Sequence, residues 1–258
     1  MKPKRSESGK PLTNWGDVAD WYDQLVGEKG SEYHRRIVIP GAIRLLSPAA
    51  GESVLDLACG QGVFCRALAE RGMEVTGVDA AEPLIAAARR HGPPSIHYHI
   101  ADVRDLAFLL ENHFPAAACL LAIQNIHPFL PVFKSVARAL KPHGRFVIVM
   151  VHPCFRGPKS THWGWDQANQ VQYRRVDRYL IPRKIPIVTH PGSQPDQYTW
   201  TFHRPISAYV KALRQAGLFV DALEEWPSHK HSDSGPRASA ENQARQEIPL
   251  FMAIRAVK

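Results

Sequence analysis

One pattern narrows the possible folds of this chain more than any other. A short apolar run, Val54-Leu55-Asp56-Leu57, ends on a carboxylate and passes into the glycine turn Gly60-Gln61-Gly62. A helical stretch follows from Val63 to Arg71, closed by Gly72, and the cycle then repeats. Glu74–Val78 reads as a second strand ending in Asp79, Pro83–His91 as a helix, and Ile96–Ile100 as a third strand followed by Asp102. Ala116–Ala122, the helix Val132–Leu140, the turn Pro142-His143-Gly144 and the strand Arg145–Val151 complete the series. Alternation at this spacing predicts parallel strands with right-handed crossovers and helices on both faces. The expected fold is thus α/β: a Rossmann-like, doubly wound, mostly parallel sheet.

The flanks deviate from this rhythm. Trp15, Val18, Ala19, Tyr22 and Leu25 recur at helical steps, and a second helix is expected from Ser31 to Leu46, kinked or split near Pro40-Gly41. Residues 1–13 hold four of their cations among Pro3, Ser6, Ser8 and Gly9 and read as a flexible basic tail. Residues 152–203 are rich in aromatics and prolines, with strand-like runs Gln172–Leu180, Ile185–Thr189 and Gln197–Phe202, and are expected to form an inserted lid. The core should resume over 204–258, with a helix Pro205–Ala216 and strands Leu218–Glu225 and Ile248–Val257 joined by the polar loop Pro227–Glu247.

Composition removes several classes. Hydrophobic residues make up 45% of the 258 and charged residues 22%, which is ordinary for a globular chain. The longest apolar stretches, Phe114–Ile123 and Phe146–Val151, fall short of the roughly 20 residues of a membrane span. With no apolar signal segment after Met1–Lys10, a cytoplasmic location is expected. The four cysteines form no CxxC pair, so no metal site is expected. A formal charge of +8 attracts anions, but its cations are dispersed in pairs such as Arg89-Arg90 and Arg174-Arg175.

Three strand-end acids around a glycine turn define one crevice. A glycine lets the backbone approach a ligand where a side chain would clash, and an acid after the second strand is placed to accept both hydroxyls of a ribose. Asp79 lies 17 residues after Gly62, and Asp102 another 23 on. A nicotinamide dinucleotide site is disfavoured, because G-x-G-x-x-G has Cys65 at its third glycine.

The runs D-L-A-C-G-Q-G, V-T-G-V-D, A-D-V-R-D-L, L-A-I-Q-N-I-H and L-K-P-H-G-R-F-V-I-V closely resemble the class I S-adenosylmethionine-dependent methyltransferases, nearest to the quinone-biosynthesis-like, small-molecule branch. The likeness covers about residues 15–151 and 205–258. It implies a seven-stranded sheet with an antiparallel last strand and S-adenosyl-L-methionine as cofactor, leaving S-adenosyl-L-homocysteine. It implies that Asp56, Ala58, Cys59, Gly60 and Gly62 hold the methionine moiety. By the same likeness Asp79 takes the ribose, while Ala80, Asp102 and Val103 take the adenine. Ala122, Ile123 and Gln124 would flank the sulfonium, with Tyr22 and Tyr33 closing over the cofactor carboxylate. His127, which follows the fourth strand, and His152, at the end of the fifth, are the candidate bases.

The expected partner is a small-molecule acceptor under a lid whose Trp163, Trp165, Tyr173, Tyr198, Trp200 and Phe202 offer aromatic surface. Arg156, Arg174, Arg175 and Arg178 are its candidate anion receivers. Two alternatives stand beside this. One is an RNA (tRNA) methyltransferase, although Gln124–Phe129 lacks the double proline of base-amine enzymes. The other is a binding protein that holds the cofactor without turnover.

Overall fold

The computed structural model describes residues 15–190 and 194–258. The basic tail expected over residues 1–13 lies outside them. Five strands run parallel: β1 (Ser53–Leu57), β2 (Glu74–Asp79), β3 (His97–Ile100), β4 (Phe114–Leu120) and β5 (Leu140–Val151). Two hairpins follow: β6 (Thr161–Asp166) with β7 (Val171–Val176), and β8 (Arg183–His190) with β9 (Gln194–His203). The last strands are β10 (Phe219–Trp226) and β11 (Phe251–Val257). They complete a seven-stranded sheet of order β3-β2-β1-β4-β5-β11-β10, in which β11 is antiparallel to both neighbours. The expected doubly wound sheet with an antiparallel last strand is therefore present.

Alternation along each strand divides the core. Val54 and Val147 enter one apolar layer, Leu55 and Ile148 the other, because successive side chains leave a strand on opposite faces. The first layer is covered by α2 (Ile39–Leu46), α3 (Val63–Ala69) and α4 (Glu82–His91) through Leu46, Phe64, Leu68 and Ile85. The second is covered by α5 (Leu130–Ala139) and α6 (Ile206–Gln215) through Phe133, Val136, Tyr209 and Leu213. Burial on both sides explains why these strands read as apolar runs. Earlier in the chain, α1 (Ala19–Val26) packs near α4.

Three expectations need correction. The turn at Pro142-His143-Gly144 is an irregularity within β5: pairing with β4 jumps from Phe114–Leu140 to Ala116–Arg145, and His143 takes φ 62°. The polar loop 227–247 contains a helix, α7 (Ala238–Glu247), in which only Ala244 is buried. A helix of good formers with almost no buried face leaves no apolar period to read. Instead of a kink at Pro40, a π-helical turn (His34–Val38) precedes α2, and Pro40 sits in the first turn, where no N–H is required. Inside the insertion, strand β6 is additional to the runs foreseen.

Candidate active site

The crevice opens at the carboxyl ends of β1, β2 and β4, where strand order reverses around β1 and β4, as ligand sites of open α/β sheets do. It encloses about 430 Å³. Past Leu57 the chain turns through Ala58 (φ 51°) and Gly60 (φ 56°), and Gly62 (φ 80°) starts α3. A Cβ on Gly62 would sit 2.4 Å from the Tyr98 hydroxyl, so only glycine fits there.

Asp79 organises the turn. The Gly60 amide donates to Asp79 Oδ2 (2.9 Å) and the Ala81 amide to Oδ1 (2.8 Å). Burial raises its carboxyl above the usual range, opposed by these amides. Behind it, Asp56 is 2% exposed and accepts the Cys65 thiol at 3.1 Å. Burial pushes Asp56 up to about 7, with Cys65 opposing and the Asp79 charge adding.

Tyr22 covers the turn: a Cβ placed on Gly60 would lie 3.2 Å from its ring. Burial, then the charges of Asp79 and Asp56, push its phenol well upward, so it stays protonated. The N-terminal elements are tied down by a buried guanidinium. Arg66 donates to the Gln61 carbonyl, to Gln61 Oε1 and to the Glu28 carbonyl (2.6 Å each), and Gln61 Nε2 donates to the Gly27 carbonyl (2.7 Å).

Asp102 accepts from Arg104 through Nε (2.9 and 3.0 Å) and from its amide (2.9 Å). Burial works to raise its carboxyl, but the Arg104 hydrogen bonds and charge outweigh it and the net direction is down. Arg104 Nη1 also donates to the His127 carbonyl (3.0 Å), joining the loops after β3 and β4. The His127 ring stacks on Phe202 of β9 at 4.9 Å, and Arg204 Nη2 lies 3.3 Å from its Nδ1. Arginine can only donate, so Nδ1 accepts and the neutral ring carries its proton on Nε2. Burial, then the charges of Arg204, Arg104 and Lys184, hold the imidazolium below its ordinary pKa.

Of the residues singled out in the sequence, Tyr22, Ala58, Gly60, Asp79, Ala80, Asp102, Val103, Ala122 and His127 line the crevice. Asp56 and Gly62 support it from behind. Cys59 and Ile123 are buried beneath it, and Gln124 turns its amide onto the Leu121 carbonyl (2.7 Å). Tyr33 lies elsewhere, against His229 and Phe251. His152 is not at the crevice: it is 1% exposed, Nδ1 accepts the Cys154 and Phe155 amides, and Nε2–H donates to Glu225 Oε1 at 2.6 Å. A histidine with both nitrogens engaged inside the protein is a structural one. Sequence reasoning missed Trp15, Glu82, Arg104, Leu121, Asn125 and Ile126, all part of the lining. Only Arg104, two residues past Asp102, carried a signal, as a cation beside a strand-end acid.

Among the described residues no group of acids, histidines and cysteines could hold a metal ion. Among them, too, no helix is long and apolar enough to cross a membrane.

Sheet order, glycine turn and strand-end acids together define a class I, S-adenosylmethionine-dependent methyltransferase domain. Comparison with known proteins agrees: residues 54–144 match the family described as a methyltransferase domain. It is 36% identical over 123 residues to dTDP-3-amino-3,6-dideoxy-alpha-D-glucopyranose N,N-dimethyltransferase of Streptomyces fradiae, covering 47% of each chain. It is 33% identical over 102 residues to a ubiquinone biosynthesis O-methyltransferase of Xanthomonas oryzae, covering 38% of this chain and 43% of that one. The chain thus spans less than half the length of these curated relatives. A solved S-adenosylmethionine-dependent methyltransferase of Mesorhizobium loti superposes with a TM-score of 0.68 at 27% identity, over 90% of this chain and all of that one.

Proposed function

We propose that this protein transfers the methyl group of S-adenosylmethionine to a small-molecule acceptor. The observation that carries the reading is Asp79, fixed between two backbone amides at a crevice of about 430 Å³ with Asp102 beside it. A carboxylate offers about four acceptor positions, so capacity for a ribose diol remains beside the amides. The positive-φ glycine turn leaves a cradle next to Tyr22 that a side chain would fill, which supports seating of the amino-acid moiety. Asp102 and the Val103 backbone are the assigned adenine contacts.

The bound sulfonium supplies an already activated methyl group. The chain's own work is to fix the acceptor in line with it and to exclude water, which accounts for roughly 7–11 kcal/mol where orientation is good. Trp15 and Tyr22 supply aromatic surface within the crevice, and Phe202 of β9 backs the His127 ring. The names of the sugar- and quinone-precursor relatives support a small acceptor over a nucleic acid. Calorimetry with S-adenosylhomocysteine tests the cofactor reading, and consumption of labelled S-adenosylmethionine in a metabolite extract tests turnover. One-to-one binding with transfer of label to a low-mass product is expected. Absence of binding rejects the proposal, and label on RNA rejects its acceptor class.

A further inference from the structure

Arg204 is an unusual residue. It is 5% exposed, yet among the described residues no carboxylate lies within ion-pairing distance of it. Its guanidinium is held between the rings of Phe129 (4.3 Å) and Phe202 (5.3 Å), beside the Tyr209 phenol. Nη2 donates to the Ile126 carbonyl and to His127 Nδ1, while among the described residues Nη1 has no hydrogen-bond partner. A buried cation without a counter-charge is costly unless something else compensates for it.

A second cation stands on the same side. Lys184 is the register partner of Phe202, the ring on which His127 stacks, and its ammonium lies 3.9 Å from the Trp200 ring centroid. Among the described residues Lys184 also has no carboxylate partner, whereas Arg104 is neutralised by Asp102. Of the acids that line the crevice, Asp79, Glu82 and Asp102 come from the ends of β2 and β3, and Asp17 from the segment before α1. His127 comes from the far side of β1, after β4.

We propose that His127, presenting Nε2–H to the crevice, receives a carboxylate of the acceptor substrate, with Lys184 and the buried Arg204 supplying the countercharge. Arg204 acts through His127 as a positioning residue: it fixes the tautomer that donates. A histidine in that form binds an oxyanion and does not accept a proton through Nε2. This inference rests on the methyltransferase reading and narrows its acceptor to one bearing a carboxylate.

The test is a calorimetric titration in two stages. S-adenosylhomocysteine is added first; its failure to bind would reject the methyltransferase reading itself. Benzoate and benzamide, equal in shape and differing in charge, are then titrated into the complex. Benzoate is expected to bind at least about tenfold more tightly, a difference of about 1.4 kcal/mol. That preference is expected to vanish in Lys184→Met, an exposed position, and in His127→Leu. Equal binding of the two probes, no binding of either, or an unchanged preference in both variants would overturn the subsite while leaving cofactor binding intact. The ¹⁵N shifts of the His127 ring report the tautomer: Nε2–H is expected in the parent and in Arg204→Lys, and a change is expected in Arg204→Gln. An Nδ1–H tautomer in the parent overturns the role given to Arg204.

Discussion

The crevice and the paired hairpins of residues 152–203 both hold polar side chains in place, by different means. In the crevice, backbone holds the side chains: Asp79 is fixed by the Gly60 and Ala81 amides, and Arg66 by the Gln61 and Glu28 carbonyls. In the hairpin region, aromatic faces add to such bonds: Arg156 and Arg174, which donate to the Pro249 and Phe155 carbonyls, both lie 4.9 Å from Trp163, and Lys184 lies on Trp200. Backbone donors are set by strand ends and turns and survive most substitutions. Ring contacts depend on the identity of two side chains. The first arrangement suits a group that every member of a class must bind, the second a group that differs between relatives.

The largest effect is predicted where the backbone holds the acid. Asp79→Ala should weaken S-adenosylhomocysteine binding by about a hundredfold or more, since hydrogen bonds to a charged group contribute about 1.5–3 kcal/mol each. Calorimetry showing unchanged affinity would place the ribose elsewhere.

Asp56 gives a pH test of the same buried wall. Its carboxyl is pushed up to about 7 by burial, against about 3.9 in an unfolded chain. Between those values the folded state holds a proton that the unfolded state has released, so stability falls as pH rises through the window. Asp56→Asn should flatten the dependence and gain about 1–4 kcal/mol above pH 8. Urea unfolding of parent and variant across the range reads this; the same pH dependence in both through that window would contradict it.

Gly62→Ala places a Cβ 2.4 Å from the Tyr98 hydroxyl at φ 80°. A cost of about 1–3 kcal/mol is expected from left-handed backbone and overpacking together, read as a lowered urea midpoint. No change would mean that the turn can relax. The smallest effect belongs to the hairpin: excising residues 162–175 should alter S-adenosylhomocysteine affinity by no more than about twofold, as surface changes of about 0.5 kcal/mol do. A tenfold loss would make β6–β7 part of the cofactor site and remove the contrast drawn above.

The same contrast governs what could be read in advance. Val54–Leu57 and Phe146–Met150 are buried on both faces, so burial wrote itself into the sequence as apolar runs, and Asp56, Asp79 and Asp102 stand out at strand ends. Asp79 and Asp102 lie at the crevice as their spacing implied, and the crossover order followed from the alternation. His152 deceived, because a histidine at a strand's carboxyl end has the same sequence signature whether it faces a ligand or bonds Glu225. Tyr33 did so because helical spacing does not say which neighbour a ring meets. The tautomer of His127 was out of reach, since it depends on Arg204, which lies 77 residues away. α7 escaped because a helix with one buried residue leaves no apolar stripe.

The most direct measurement is a crystal structure of the protein with S-adenosylhomocysteine. The ribose hydroxyls are expected on Asp79, the adenine along Asp102 and Val103, and the sulfur turned toward the Ala122–His127 segment. A nucleoside bound elsewhere, or a crevice in which Asp79 meets no ligand atom, would contradict this placement.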